Sequence, residues 1–175
     1  MAIDSSYHTD MVYNFCVSVM QDKHIKTSII PVKGNPKINK VLRTSMPLAN
    51  YSKIVYVDIH SGEYKKKVMN NLKEKQGSYA FCQFPTDREK DFFKQLNSEE
   101  MVTDKDKLGQ IKGVIWRKKK SHYDNHAFDC RYYLVAMKDY FCYNYSKDTL
   151  KTDRFNYNLV YEHYRNRWLK RFKKD

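Results

Sequence analysis

Three aspartates in this chain occupy positions where a carboxylate could bind a metal ion. Asp4 and Asp58 each end an apolar run that is typical of a β-strand, and Asp129 lies beside the apolar stripe of a long helical segment. Carboxylates that are brought together repel and lose hydration, which raises their pKa values unless a cation compensates. Mg²⁺ and Mn²⁺ prefer oxygen ligands, and two such ions can activate water against a phosphodiester. The pattern predicts a two-metal hydrolytic site that is built from these three acids.

Each acid also has a structural interpretation. Asp58, like Ser61, could cap the helix that begins just after it. His126 precedes Asp129 by one helical turn, so the two side chains would share a face, and the imidazole could position a water or contact the scissile phosphate. The alternative for His126 is a hydrogen-bonded structural histidine.

The segments that must position these residues alternate between strand and helix patterns. The strongest strand signal is residues 53–59, and the next helix begins at Ser61. The connection from about 36 to 50 contains prolines and predicts no clear element. The alternation predicts an α/β fold. The remaining predicted elements are strands at 27–32 and 79–85, helices at 9–22, 125–145 and 157–174, a short helix after Asp87, and a hairpin that pairs 100–103 with 113–117.

Composition favours one domain and a polyanionic partner. The 175 residues include 33 Lys and Arg against 20 Asp and Glu, a net charge of +13. The alternative is a solvated basic tail, because the last eleven positions are rich in Lys and Arg. The four cysteines show no zinc-type spacing and are expected to be reduced core residues.

The start of the chain shows no signal-peptide pattern, and no apolar run is long enough to cross a membrane, so we expect a soluble, intracellular protein. An acid at position 4, directly after a very short strand pattern, suggests a chain cut from something longer, with part of that strand missing.

Taken in order, several segments resemble the nuclease domain of a phage terminase large subunit, the enzyme that cuts concatemeric DNA during packaging. The resemblance covers about residues 2–141. It is carried by Ile3-Asp4-Ser5-Ser6-Tyr7-His8-Thr9-Asp10, Val12-Tyr13-Asn14-Phe15-Cys16, Pro31-Val32-Lys33-Gly34, Val57-Asp58-Ile59-His60-Ser61, Phe84-Pro85, Gln95-Leu96-Asn97-Ser98-Glu99, Trp116 with Lys118 and Lys119, and Asn125-His126-Ala127-Phe128-Asp129-Cys130-Arg131.

The resemblance implies a ribonuclease H-like fold, a mixed central sheet flanked by helices. We expect a nuclease domain over 1–146, and residues 147–175, which lie outside the resemblance, are expected to be a basic C-terminal helical extension of the same domain. It implies a site in which Asp4 and Asp129 match well. The second acid varies between aspartate and glutamate in such nucleases, so Glu63 or Glu99 could be mistaken for Asp58.

The implied activity is metal-dependent endonucleolytic cleavage of double-stranded DNA in the cytoplasm of the host cell, with Mg²⁺ or Mn²⁺, two ions, as cofactor. The implied partners are the terminase ATPase domain, the small terminase subunit and the portal, with no membrane. The sequence lacks a phosphate-binding loop, so the chain is not the ATPase motor. We therefore expect an isolated nuclease domain, either cut from a longer chain or encoded by a naturally split gene.

The run Arg117-Lys118-Lys119-Lys120 directly precedes the Asp129 helix and is predicted to contact DNA phosphates near the metal site. A solvated loop is the alternative. Two other functions stay open at this point. One is another ribonuclease H-like nuclease, of the resolvase or transposase type, and the other is a non-catalytic DNA-binding module.

Overall fold

The structure is a computed structural model that describes residues 1–45, 54–78, 80–151 and 156–172. The chain separates into two compact units, Met1–Val135 and Ala136–Asp175. The strands are β1 (Ala2–Asp4), β2 (Ile30–Gly34), β3 (Leu42–Ser45), β4 (Tyr56–Ile59), β5 (Glu99–Lys105) and β6 (Ile111–Lys118). The helices are α1 (Thr9–Gln21), α2 (Ser61–Leu72), α3 (Lys90–Leu96), α4 (His126–Asp148) and α5 (Tyr157–Phe172).

A four-stranded mixed sheet forms the centre of the first unit, in the order β1-β2-β4-β3. The strands β1, β2 and β4 run parallel, and β3 pairs antiparallel with β4. Pro31 and Val32 of β2 and Val57, Asp58 and Ile59 of β4 are buried, as is typical of central parallel strands, whereas Lys33 is exposed. The predicted α/β class, with a mixed sheet flanked by helices, is confirmed.

One face of the sheet packs against α1. Tyr13 and Cys16 lie one helical turn apart and form a buried cluster with Ile54, and the Tyr13 and Tyr56 rings lie 6.2 Å apart. The helix therefore covers the face of β4 to which Tyr56 belongs. Side chains alternate along a strand, so Asp58 belongs to that same face.

The strands β5 and β6 form a separate antiparallel hairpin with an irregularity between Asp104 and Lys105. The predicted hairpin is confirmed, and it is longer than the sequence pattern indicated. Its first residue, Glu99, is buried, whereas Lys118, its partner across the ladder, is exposed.

Three sequence-based expectations differ from the structure. The strand β3 lies in the connection for which no element was predicted. The prediction of a strand over 79–85 is wrong for residues 80–85, which form no strand. In this segment the Phe84 ring packs against Phe92 and Phe93 of α3. Residue 79 lies outside the described residues. Cys130 is exposed, whereas the other three cysteines are buried.

The second unit contains the C-terminal half of α4 and the helix α5. Within it, the Tyr145 hydroxyl and His163 Nδ1 are 2.7 Å apart, and the rings of Phe141, Tyr145 and Tyr164 pack together. The ammonium of Lys138 lies 4.4 Å from the centre of the Tyr157 ring. Across the described ranges, no helix is both long and apolar enough to cross a membrane.

Candidate active site

Asp4 and Asp58 point to opposite faces of the central sheet. Asp4 is in register with Val32 of β2, and Val32 is in register with Val57 of β4. Residues paired in register on adjacent strands point to the same face of the sheet, whereas consecutive residues along one strand point to opposite faces. Asp4 therefore lies on the Val57 face, and Asp58, the next residue, lies on the face that α1 covers.

Asp58 has a partner on its own face. It is in register with Arg43 of β3, and its Oδ2 accepts hydrogen bonds from Nε and Nη2 of that guanidinium. The Asp58 side chain is 3% exposed, whereas that of Arg43 is 50% exposed. The pair neutralises a buried charge. Asp58 does not cap α2, because His60 holds the N-cap position and its Nδ1 accepts the Glu63 N–H at 3.3 Å.

Asp4 lies at the carboxyl end of β1, where the chain leaves the sheet. Its Oδ1 accepts a hydrogen bond from the Ser6 N–H at 2.9 Å, which forms a local turn. Burial raises the pKa of Tyr133 to about 12, and the negative charge of Asp4 contributes to the rise. The Tyr133 hydroxyl accepts a hydrogen bond from the Gly34 N–H at 3.1 Å. Asp4 therefore lies near the end of β2 and the first half of α4.

Asp129 lies in the first turn of α4, beside an ion pair that the sequence did not predict. Lys65 of α2 places its Nζ 2.7 Å from Glu99 Oε2 and 3.5 Å from Asp129 Oδ1. Asn125 donates from Nδ2 to the other Glu99 oxygen at 2.6 Å. One ammonium thus lies between two carboxylates that come from β5 and α4.

The electrostatics of Asp129 reflect this crowding. Burial is the largest cause of its raised pKa, the Lys65 ammonium opposes the rise, and the charges of Glu99 and Asp4 add to it. Its buried Oδ1 faces the Lys65 ammonium and has no closer polar partner among the described residues. Asp4, Glu99 and Asp129 therefore form one electrostatic group in which Lys65 compensates only part of the negative charge.

Aromatic residues line the approach to Lys65. Its Nζ is 5.6 Å from the centre of the Phe128 ring and 5.4 Å from that of Tyr132. Both rings are buried on α4. They hold the ammonium between two π faces, which attract a cation, and they exclude water from one side of it.

The remaining predicted residues lie at the edges of this group. His126 is exposed at the first residue of α4. Arg117, Lys118, Lys119 and Lys120 are all exposed. The backbone N–H of Lys119 donates to Ser98 O at 2.8 Å, next to Glu99, so the basic run begins beside the site.

The structure thus places Asp4 within electrostatic range of Asp129 and places Asp58 on the other face of the sheet. Sequence reasoning named Glu99 only as a residue that could be mistaken for the second acid, and it missed Lys65. The signal for Glu99 was an acid directly before an alternating strand pattern. Lys65 gave no signal, because it is one of three consecutive lysines.

No three side chains of His, Cys, Asp or Glu lie close enough to hold one ion among the residues that the structure describes. The donors are of the type that hard cations prefer, because Asp4, Glu99 and Asp129 supply carboxylate oxygens from three segments. In this structure Lys65, and not a metal ion, compensates Glu99 and Asp129.

Comparison with known protein families gives one match. The family model described as the terminase large subunit gpA, endonuclease domain, matches residues 1–150. No curated protein and no solved structure matches the chain.

Proposed function

Because the chain belongs to the family of terminase large subunit gpA endonuclease domains, we propose that it cuts concatemeric double-stranded DNA during genome packaging by metal-dependent hydrolysis. The observation that carries the proposal is the pair of carboxylates Glu99 and Asp129 on Lys65, with the charge of Asp4 acting on Asp129. The family supports a nuclease role, and these acids supply what metal-dependent phosphodiester cleavage needs.

Asp4, Glu99 and Asp129 would hold Mg²⁺ or Mn²⁺ after a rearrangement that brings their carboxylates closer together than they lie here. Glu99 is then the second acid, because it shares the Lys65 ammonium with Asp129. The alternative is Asp58, which the sequence predicted, and the experiment below distinguishes the two. When bound, two such ions would supply an activated water and stabilise the departing oxygen of the phosphodiester.

The residues of the chain have their own parts in this scheme. The Lys65 ammonium would place a positive charge beside the scissile phosphate, which gains negative charge as the phosphodiester bond breaks. The Phe128 and Tyr132 rings keep that ammonium at one position. The run Arg117–Lys120 holds the DNA backbone by contacts that read no bases. The exposed His126 could reach a phosphate or a water at the edge of the site.

A ribonuclease H-like fold is the architecture that we propose for the first unit, supported by its parallel β1, β2 and β4 with an antiparallel β3. The proposed partners are double-stranded DNA, the ATPase domain of the terminase, the small terminase subunit and the portal. The place of action is the cytoplasm of the infected host.

The experiment is plasmid cleavage with Mg²⁺, Mn²⁺ or EDTA by four matched variants of the chain. They are Glu99→Gln, Asp58→Asn, Asp129→Asn and, as control, Glu100→Gln, which changes an adjacent acid outside the group. Circular dichroism and thermal unfolding are measured on the same samples. Titration calorimetry with Mn²⁺ provides a readout that does not depend on turnover.

We expect Glu99→Gln and Asp129→Asn to lose cleavage and weaken Mn²⁺ binding while they stay folded, and Glu100→Gln to resemble the wild type. Loss of cleavage and of Mn²⁺ binding in a folded Asp58→Asn variant, with Glu99→Gln active, would make Asp58 the second acid. A wild-type chain that binds DNA but neither binds Mn²⁺ nor cuts in its presence would be a DNA-binding module.

A further inference from the structure

The hairpin β5–β6 carries apolar side chains that no part of the described structure covers. Leu108 at the turn is 84% exposed, and Ile111 and Val114 on β6 are 71% and 58% exposed. Met101 on β5 is 52% exposed. A row of exposed apolar residues on one small element marks an interaction surface.

The turn holds Leu108 outward in a defined conformation. Asp106 Oδ1 accepts hydrogen bonds from the N–H groups of Leu108 and Gln110, both at 2.9 Å. The Asp106 N–H donates to Gln110 O at 2.9 Å, and the Gly109 N–H donates to Asp106 O at 3.0 Å. Gly109 has a φ of 80°, which a residue with a Cβ rarely adopts. The tip is therefore organised before any partner arrives.

The charges around these residues argue against a protein as the partner. Lys105, Lys107 and Lys112 are exposed beside the apolar side chains. Lysine is depleted from the cores of protein interfaces. From Glu99 to Lys120 the chain carries seven basic and four acidic residues, and Asp106 is used within the turn. This combination suits a polyanion that also offers apolar surface.

We propose that the β5–β6 hairpin is a DNA-binding arm that lies in a groove of the duplex, with its lysines on the phosphates and Leu108 and Ile111 against the groove floor. A two-stranded ribbon fits the width of the major groove. Seven residues of strand reach about 23 Å. The arm starts at Glu99, in the candidate active site, so it extends along the DNA away from the cut. This inference rests on the proposed function.

The test measures DNA binding by fluorescence anisotropy of a labelled duplex, with EDTA present so that no cleavage occurs, over a range of salt concentrations. Three variants of the full chain are compared with wild type. They are Leu108→Ala, the triple variant Lys105→Gln/Lys107→Gln/Lys112→Gln, and a control triple variant off the hairpin, Lys73→Gln/Lys75→Gln/Lys90→Gln. A control for the apolar change is Met11→Ala, since Met11 is also exposed, on α1.

We expect the hairpin triple variant to bind DNA about tenfold more weakly than wild type. The decrease of its log association constant with log salt should also be less steep, by about 0.9 for each lost phosphate contact. Leu108→Ala should weaken binding severalfold with the slope unchanged, because it removes no charge. Both control variants should bind like wild type.

Equal affinity of wild type and both hairpin variants would overturn the inference and leave the nuclease proposal intact. Sedimentation at several concentrations examines a second copy as the partner. If Leu108→Ala causes a wild-type dimer to dissociate without changing DNA affinity, the tip belongs to a protein interface and the inference is wrong. A chain that binds through the hairpin but never cuts would instead remove the nuclease proposal and keep the arm.

Discussion

Lys65 and Glu99 form a nearly buried ion pair across α2 and β5, with 2.7 Å between Nζ and Oε2. The side chains are 13% and 5% exposed, so neither charge is well hydrated. The ion pair connects α2 to Glu99, the first residue of the β5–β6 hairpin.

Substitution Lys65→Met should lower the free energy of unfolding by about 3 kcal/mol, because it leaves Glu99 buried beside Asp129 without a cation. Urea unfolding at neutral pH measures this. The neighbouring exposed residue offers a control, Lys66→Met, which should stay within about 0.5 kcal/mol of wild type. Equal losses for the two variants would mean that the ion pair contributes nothing to folding.

Substitution Asp129→Asn should make the metal-free chain more stable at pH 7 by about 1 kcal/mol while it abolishes cleavage, as expected when a functional site carries uncompensated charge. The sign follows from the raised pKa of Asp129. The folded state binds more protons than the unfolded state, so stability falls as pH rises from the ordinary value of about 3.9 through the higher folded value.

The gain from Asp129→Asn should therefore vanish at acid pH, below about 3.9. Thermal unfolding in EDTA between pH 3 and pH 8 checks this dependence. A variant that is less stable than wild type at pH 7 would show that Lys65 fully compensates Asp129.

Substitution Arg43→Ala should lower the free energy of unfolding, because Asp58 stays buried and loses its partner; the exposed guanidinium limits the loss. The double variant Arg43→Ala/Asp58→Asn should recover part of it. Urea unfolding of the two single variants and the double variant gives the coupling energy. Independent effects would separate Asp58 from Arg43 energetically and weaken the case that Asp58 is structural.

Substitution Gly34→Ala should cost about 2 kcal/mol through overpacking. A Cβ at this position would lie 2.7 Å from the Tyr132 hydroxyl oxygen and 3.1 Å from that of Tyr133. Adding Tyr132→Phe removes the closer oxygen, and the double variant should recover most of the loss. Chemical unfolding of the three variants checks the cycle; no recovery would show that the strain arises elsewhere.

Local patterns in the sequence predicted most of the helices, the parallel part of the sheet and the hairpin. The α1 stripe and the apolar run that ends at Asp58 depend on residues close in the chain, so periodicity reveals them. The strand β3 is only four residues long, and it is stabilised by pairing with β4 rather than by a pattern of its own.

The composition of the site could not be predicted in the same way. Whether Asp58 faces Asp4 depends on the register of β1, β2 and β4, which no local pattern contains. The partner of Asp58, Arg43, lies on the strand that the sequence did not reveal. Lys65 and Glu99 are 34 positions apart, and their pairing follows from how α2 packs beside the hairpin.

The root of the hairpin has a mechanical consequence. Trp116 of β6 donates from Nε1 to Gly62 O at 3.2 Å and packs against Phe128, so one end of the ribbon is fixed to the rest of the first unit. At the other end, Leu108 is 84% exposed to solvent among the described residues. Because β5 and β6 are hydrogen-bonded along their length, a displacement of the tip would be transmitted to Glu99 at the fixed end.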